Sequence, residues 1–263
     1  MTPDDALARL LADPASAGLV CDLDGTLAPI VDDPSSVTLP DPARVALEVA
    51  SGHLGVVAIV SGRPAAFLAE RAAVPGVRLL GLYGMEEVDD AGTPRPRPEV
   101  RAWEEPLAQA RAALASAVEG EEGLRLEDKG GSVAVHWRGA PDEERAGDRA
   151  AALARTVAER TGLAREPGKL VEELRPPVGW DKGAVVRLLA EEAGLSTVAY
   201  LGDDRGDLPA LAAARDLGGV AIVVDHGEET PQVVRDAGDC VLEGTAEAAR
   251  LIGRLADELL ARG

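Results

Sequence analysis

Apolar and polar residues repeat on two periods along this chain. Short apolar runs, interrupted only by Arg78 in one and opened by Thr197 in another, recur at Leu19–Cys21, Val56–Val60, Val77–Leu82, Thr197–Leu201, Val220–Val224 and Cys240–Leu242. Between them lie amphipathic stretches such as Pro64–Ala73 and Lys182–Ala193. Runs that are apolar throughout, rather than at every second position, predict strands covered on both faces. Strand-then-helix alternation therefore predicts an α/β fold with a doubly wound, Rossmann-like parallel sheet. In such a sheet the ligand site lies at the carboxyl ends of the strands.

The middle follows a different pattern. After the proline-rich segment Thr93–Pro98 comes an expected helix, Glu99–Val118, then extended runs Leu124–Lys129 and Ser132–Arg138 joined by Gly130-Gly131. Paired glycines can both take the positive φ that a tight hairpin turn needs. A second helix, Asp142–Thr161, precedes another extended pair around Pro167-Gly168, and the segment closes near Pro176-Pro177. The order α-β-β-α-β-β predicts an antiparallel sheet with helices on one face. It reads as an α+β cap, 98–177, inserted into a core made of 1–97 and 178–263.

Composition narrows the picture. With only 2% aromatic residues, the core must be built from Ala, Val and Leu. A formal charge of -19 argues against a nucleic-acid partner, since phosphate backbones are held by basic patches. No apolar run approaches the ~18 residues of a membrane helix. The acidic start, MTPDDALARLLADP, lacks a charged-then-apolar leader pattern. A cytoplasmic monomer is the expectation. Cys21 and Cys240 lie in apolar runs without metal-ligand spacing, which predicts buried packing.

Candidate chemistry gathers where expected core strands end. Val20-Cys21-Asp22-Leu23-Asp24-Gly25-Thr26 closes a strand with two aspartates and a turn. Asp22 suits a nucleophile that also ligates a metal, and Asp24 an acid and base; Asp-Gly-Thr is also ordinary turn chemistry. Ser61-Gly62-Arg63-Pro64 could offer Ser61 to a phosphoryl oxygen, or simply cap the next helix; Arg63 could serve the anion or the surface. In Trp180-Asp181-Lys182-Gly183, Asp181 is a sensible N-cap. Lys182 faces the positive end of the helix dipole, which points to an anionic partner or to an exposed side chain. Gly202-Asp203-Asp204-Arg205-Gly206-Asp207 crowds carboxylates that repel unless a cation intervenes or water solvates them. Oxygen ligands beside a phosphate favour Mg²⁺, with Asp203 as ligand and Asp204 and Asp207 behind it.

This quartet resembles the haloacid dehalogenase superfamily of phosphohydrolases across essentially the whole chain. The resemblance implies an aspartyl-phosphate on Asp22, with Asp22, the Asp24 main-chain carbonyl and Asp203 binding Mg²⁺. The long interval between Ser61 and Lys182 is similar to the capped subgroup that includes sugar phosphatases. Finer features look like the trehalose-6-phosphate phosphatase family: Asp24-Gly25-Thr26-Leu27-Ala28-Pro29-Ile30, Ser61–Pro64, Gly81-Leu82-Tyr83-Gly84 with Glu86, Glu127–Gly130, His136–Arg138, and Gly168-Lys169 leading to Glu173–Pro176. By that resemblance Glu127, Lys129, Arg138, Lys169 and Glu173 would contact a sugar phosphate, with Arg63 a further substrate-binding candidate from its own motif. Gly206 and Leu208 depart from it, standing where the family often has Thr and Glu.

Strand alternation offers an independent check. If Gly130-Gly131 is the loop, Lys129 pairs with Ser132 and Glu127 with Ala134. Glu127, Lys129, His136 and Arg138 then share one face, with Leu124, Leu126, Val133, Val135 and Trp137 on the other. Lys169, Val171, Glu173 and Arg175 share a face likewise. Such a face is either solvated or, over a catalytic crevice, a polyol-binding lid. Mg²⁺, Lys182, Lys129, Arg138 and Lys169 would then offset the global negative charge where phosphate lands. The family resemblance implies hydrolysis of trehalose 6-phosphate as the expected reaction. Rivals are other sugar phosphates (sucrose phosphate, mannosyl-phosphoglycerate), a sugar phosphomutase, or a non-enzymatic sensor.

Overall fold

In the computed structural model, which describes residues 1–262, the apolar runs become strands of a single sheet. In chain order the strands are β1 (Ala17–Cys21), β2 (Val56–Val60), β3 (Arg78–Gly81), β4 (Glu86–Val88), β5 (Pro94–Pro96), β6 (Arg125–Asp128), β7 (Val133–His136), β8 (Ala164–Gly168), β9 (Val171–Arg175), β10 (Thr197–Gly202), β11 (Val220–Asp225) and β12 (Cys240–Glu243). The eight-stranded sheet runs β12-β11-β10-β1-β2-β3-β4-β5. It is parallel from β12 to β3, and β4 turns back antiparallel.

Burial on both faces explains the apolar runs. Val20, Ala58, Val60, Leu80, Val198, Tyr200, Ala221 and Val223 face one layer, with helices Lys182–Ala193 and Leu208–Asp216. Leu19, Cys21, Val57, Ile59, Ala199, Leu201, Ile222 and Val224 face the other, with helices Pro3–Leu10, Asp41–Ser51 and Gly244–Leu260. Both cysteines are buried and free. The chain leaves β1 toward β2 and β3, and later returns on β1's opposite side through β10. In open α/β sheets such a reversal marks where ligands bind, at the carboxyl ends of the strands on either side of it.

Several expected elements change length. The run Val77–Leu82 stops as a strand at Gly81, because Leu82 and Tyr83 adopt positive φ. Pro64–Ala73 shortens to a helix over Ala65–Arg71, with Pro64 extended at its N-cap. Glu99–Val118 is a short helix, Pro98–Arg101, then Glu104–Val118, broken where Trp103 leaves helical geometry (φ -104°, ψ 6°). The strands β4 and β5 were not expected.

The chain divides into two compact units, Met1–Arg95 with the segment from Trp180 onward, and Pro96–Gly179. The second holds a four-stranded antiparallel sheet, β6-β7-β9-β8. Its core joins Val133, Val135 and Leu174 to Leu107, Leu114, Ala150 and Val157 of helices Glu104–Val118 and Glu143–Thr161. Glu127 pairs with Ala134, and Lys129 N–H donates to Ser132 O at 3.0 Å. Only Gly130 takes positive φ (80°) in that turn; Gly131 does not need it. Among the described residues no helix is long and apolar enough to cross a membrane.

Candidate active site

Cys21 lies level with Ile59 on β2 and Leu201 on β10. Asp22 follows at once, while Ser61 and Asp203 come two residues beyond that level on the flanking strands. Adjacent strands sit ~4.8 Å apart, so three functional side chains are delivered to one rim by sheet geometry alone. The N–H of Asp22 still bonds Leu201 O at 2.9 Å, which holds the side chain in register. The chain then turns at Gly25 (φ 76°), where a Cβ would lie 2.3 Å from Asp203 Oδ2. Glycine is required there by both backbone angle and closeness. The next residue, Thr26, donates its hydroxyl to Asp203 Oδ1 at 2.9 Å.

Asp207 anchors the opposite wall. Its Oδ2 accepts the N–H groups of Asp203 (2.9 Å) and Asp204 (3.0 Å), and its Oδ1 accepts Lys182 Nζ (2.7 Å) and the Tyr200 hydroxyl (2.5 Å). Gly202 makes room for it, since a Cβ there would meet Asp207 Cγ at 2.4 Å. Lys182, at the start of the helix capped by Asp181 through Ala184 N–H, is also 2.9 Å from Asp22 Oδ1. Asp204 is exposed and accepts Gly206 N–H at 2.8 Å.

The charges follow from this wiring. Burial works against a charged Lys182, but Asp207 and Asp22 outweigh it and hold the ammonium well above its ordinary range. Burial would also raise Asp207, yet Lys182 and the Tyr200 hydroxyl keep that carboxyl below its usual range. Asp22 is pushed up by burial and by Asp207 and Asp203, with Lys182 pulling the other way. Burial and Asp207 push Asp203 up to about 7.

These carboxylates fit a divalent cation. Oxygens of Asp22, Asp203 and Asp207 lie within 4.8 Å of one another. Asp207 has its acceptor positions filled by protein donors, whereas Oδ2 of Asp22 and of Asp203 has none among the described residues. An all-oxygen pair crowded enough to resist ionisation is a donor set for a hard cation.

Ser61 is 1% exposed, and its Oγ accepts Arg63 N–H at 3.1 Å. Its hydroxyl hydrogen has no acceptor among the described residues, so it can serve a ligand. The Arg63 guanidinium forks onto Asp24, Nε to Oδ2 at 3.1 Å and Nη2 to Oδ1 at 2.6 Å, and lies over the Phe67 ring at 4.7 Å. Sequence reasoning missed Thr26, Tyr200 and His226, whose Nε2 donates to Gly25 O at 2.6 Å.

The remaining candidates belong to the Pro96–Gly179 unit. Lys129 Nζ and Ser132 Oγ both meet Glu173, at 2.7 and 2.6 Å. Glu127 pairs with His136 Nε2 at 2.7 Å. Glu127, His136 and Glu173 share the face opposite the helices, as the register of β6, β7 and β9 requires. Arg138 and Lys169 are exposed.

A reversed parallel sheet with an aspartate at the end of its central strand, a buried lysine and an acidic turn defines a haloacid dehalogenase-like fold. A haloacid dehalogenase-like hydrolase from Bacteroides thetaiotaomicron superposes with a TM-score of 0.59 at 17% identity, over 91% of this chain and 99% of that one. A trehalose-6-phosphate phosphatase related protein does so at 0.77 and 20% identity, over 94% and 100%. The chain belongs to the trehalose-phosphatase family, whose model matches residues 20–237. The trehalose-phosphate phosphatase of Mycobacterium marinum is 36% identical over 247 residues, which cover 92% of this chain and 62% of that protein. This chain thus spans about three-fifths of that relative's length.

Proposed function

We propose that this chain hydrolyses trehalose 6-phosphate to trehalose and inorganic phosphate through an ester of Asp22. The observation that carries the reading is the buried contact of Asp22 with Lys182, itself fixed by Asp207, at the end of the central strand. An Asp22 oxygen attacks phosphorus and the bond to the sugar oxygen breaks, that oxygen taking a proton from Asp24. Asp24 then takes a proton from water as the water oxygen attacks the same phosphorus, releasing phosphate and restoring the Asp22 carboxylate. Lys182 and the Ser61 hydroxyl stabilise the phosphoryl oxygens.

Asp22, Asp203 and the Asp24 main-chain carbonyl would hold Mg²⁺, which supplies positive charge against the transferring phosphoryl group. Recognition of the sugar is assigned to the Pro96–Gly179 unit as a cap, through Glu127, Lys129, Arg138, Lys169 and Glu173, with Arg63 near the phosphate. The family membership and the name carried by the Mycobacterium marinum relative favour trehalose 6-phosphate over other sugar phosphates. The protein is read as a cytoplasmic monomer.

The test is phosphate release from trehalose 6-phosphate with Mg²⁺, with and without EDTA, in wild type and Asp22→Asn. Turnover that EDTA and Asp22→Asn both abolish is expected. Wild-type rates in Asp22→Asn would sink the mechanism, and a clear preference for sucrose phosphate or mannosyl-phosphoglycerate would change the substrate.

A further inference from the structure

Immediately after β3, Leu82 and Tyr83 take φ of 48° and 59°, two successive left-handed residues that are not glycine. Side chains bearing a Cβ resist this conformation, because the Cβ is driven toward the following carbonyl oxygen. Such strain survives only where the surroundings over-determine it, and it concentrates at working sites. Here the surroundings are the Ser61–Ala65 turn. Leu82 N–H donates to Arg63 O at 2.9 Å, Tyr83 N–H to Ser61 O at 3.0 Å, and Ser61 N–H to Leu80 O at 3.0 Å. Glu86 Oε2 accepts Ala65 N–H at 3.0 Å and pins the turn's far end.

Side chains add a second layer of contact. The buried Leu82 and Met85 anchor the step in the interior. A Cβ on Gly81 would lie 2.2 Å from Ala65 N, so strand and turn touch backbone to backbone. The Tyr83 ring lies against Gly62, where a Cβ would come within 2.9 Å of the phenol oxygen and 3.0 Å of Cζ. The same ring reaches the acidic turn, 3.8 Å from where a Cβ on Gly206 would sit.

We propose that the Leu82-Tyr83 step positions Ser61 for phosphoryl transfer, with the Tyr83 ring bracing the Ser61–Gly62 turn against the turn at Gly206. The inference rests on the reaction proposed above and adds a positioning residue to it. Ser61 is the sensitive point, because its hydroxyl hydrogen is the donor left over for a ligand. Glycine would relieve the strain at position 83, so what the tyrosine contributes there is its side chain.

The experiment compares Tyr83→Gly and Tyr83→Phe in the full chain, measuring Tm, kcat and KM with trehalose 6-phosphate and Mg²⁺. Tyr83→Gly is expected to keep or raise Tm while kcat falls about 10–100-fold and KM moves less, as for a misplaced group. Tyr83→Phe, which keeps the ring, is expected to stay closer to wild type in kcat than Tyr83→Gly. Unchanged kcat in Tyr83→Gly overturns the proposal. So does a fall in kcat that tracks a lowered Tm, the mark of a purely structural role. A parallel measurement of inorganic phosphate binding, read as protection against thermal unfolding, separates this from a wrong substrate. If wild type ignores trehalose 6-phosphate but binds phosphate more tightly than Tyr83→Gly, the positioning role stands and the substrate falls. Equal phosphate affinity overturns the positioning role.

Discussion

Arg63 reaches Asp24 through two nitrogens, and on the proposed mechanism that fork sets how freely the carboxylate can turn toward the leaving group. A lysine carries the same charge without the planar fork or the stacking on Phe67. Arg63→Lys should therefore lower kcat about tenfold, against the ~10²–10⁴-fold expected for Asp24→Asn. Combining them distinguishes two roles. If Arg63 acts through Asp24, the double variant is no slower than Asp24→Asn alone; a further multiplicative loss assigns Arg63 to the phosphate itself. At this scale the sequence exposes residues that contradict their local setting: an aspartate ending a buried strand, a lysine at a helix N-terminus, crowded acids in one turn. Tyr200, Thr26 and His226 violate nothing locally. The Thr26 and His226 contacts join residues 177 and 201 positions apart, so only folding reveals them.

Helices Lys182–Ala193 and Leu208–Asp216 approach so closely that a Cβ on Gly183 would meet Pro209 O at 2.4 Å. In an isolated helix, replacing glycine with alanine gains about 0.8–1 kcal/mol. Here the added methyl must push backbone away, and Lys182 sits one residue earlier. Gly183→Ala should lower Tm and kcat together, opposite in sign to the helix-propensity expectation. An unchanged or higher Tm would show that the helices can slide apart. Parallel strands were legible because short apolar runs alternate with amphipathic stretches, the pattern of a sheet covered on both faces. The short β4 and β5, Glu86–Val88 and Pro94–Pro96, carry charge and proline and exist because β3 offers an edge to β4 and β4 in turn offers one to β5.

Across the molecule, buried acid chemistry ties function to stability. Protein groups alone push Asp203 up to about 7, whereas an unfolded chain titrates near ~3.9. Between those values the folded state holds a proton the unfolded state has lost, so stability falls as pH rises through that window. Protein treated with EDTA should show Tm decreasing from about pH 5 to about pH 7.5, with Mg²⁺ restoring more at the upper end. Asp203→Asn should flatten both effects; a Tm profile unchanged by that substitution would place the pH dependence elsewhere.

One further consequence lies in the order of the strands. β1 bonds β2 on one side but waits for β10 on the other, and the whole Pro96–Gly179 unit is synthesised between them. At ribosomal rates of ~5–20 residues per second, an apolar strand edge ending in Asp22 stays open for on the order of ten to thirty seconds. Conditions that lengthen or shorten that interval, translation speed among them, then bear on how much of the chain escapes aggregation during synthesis.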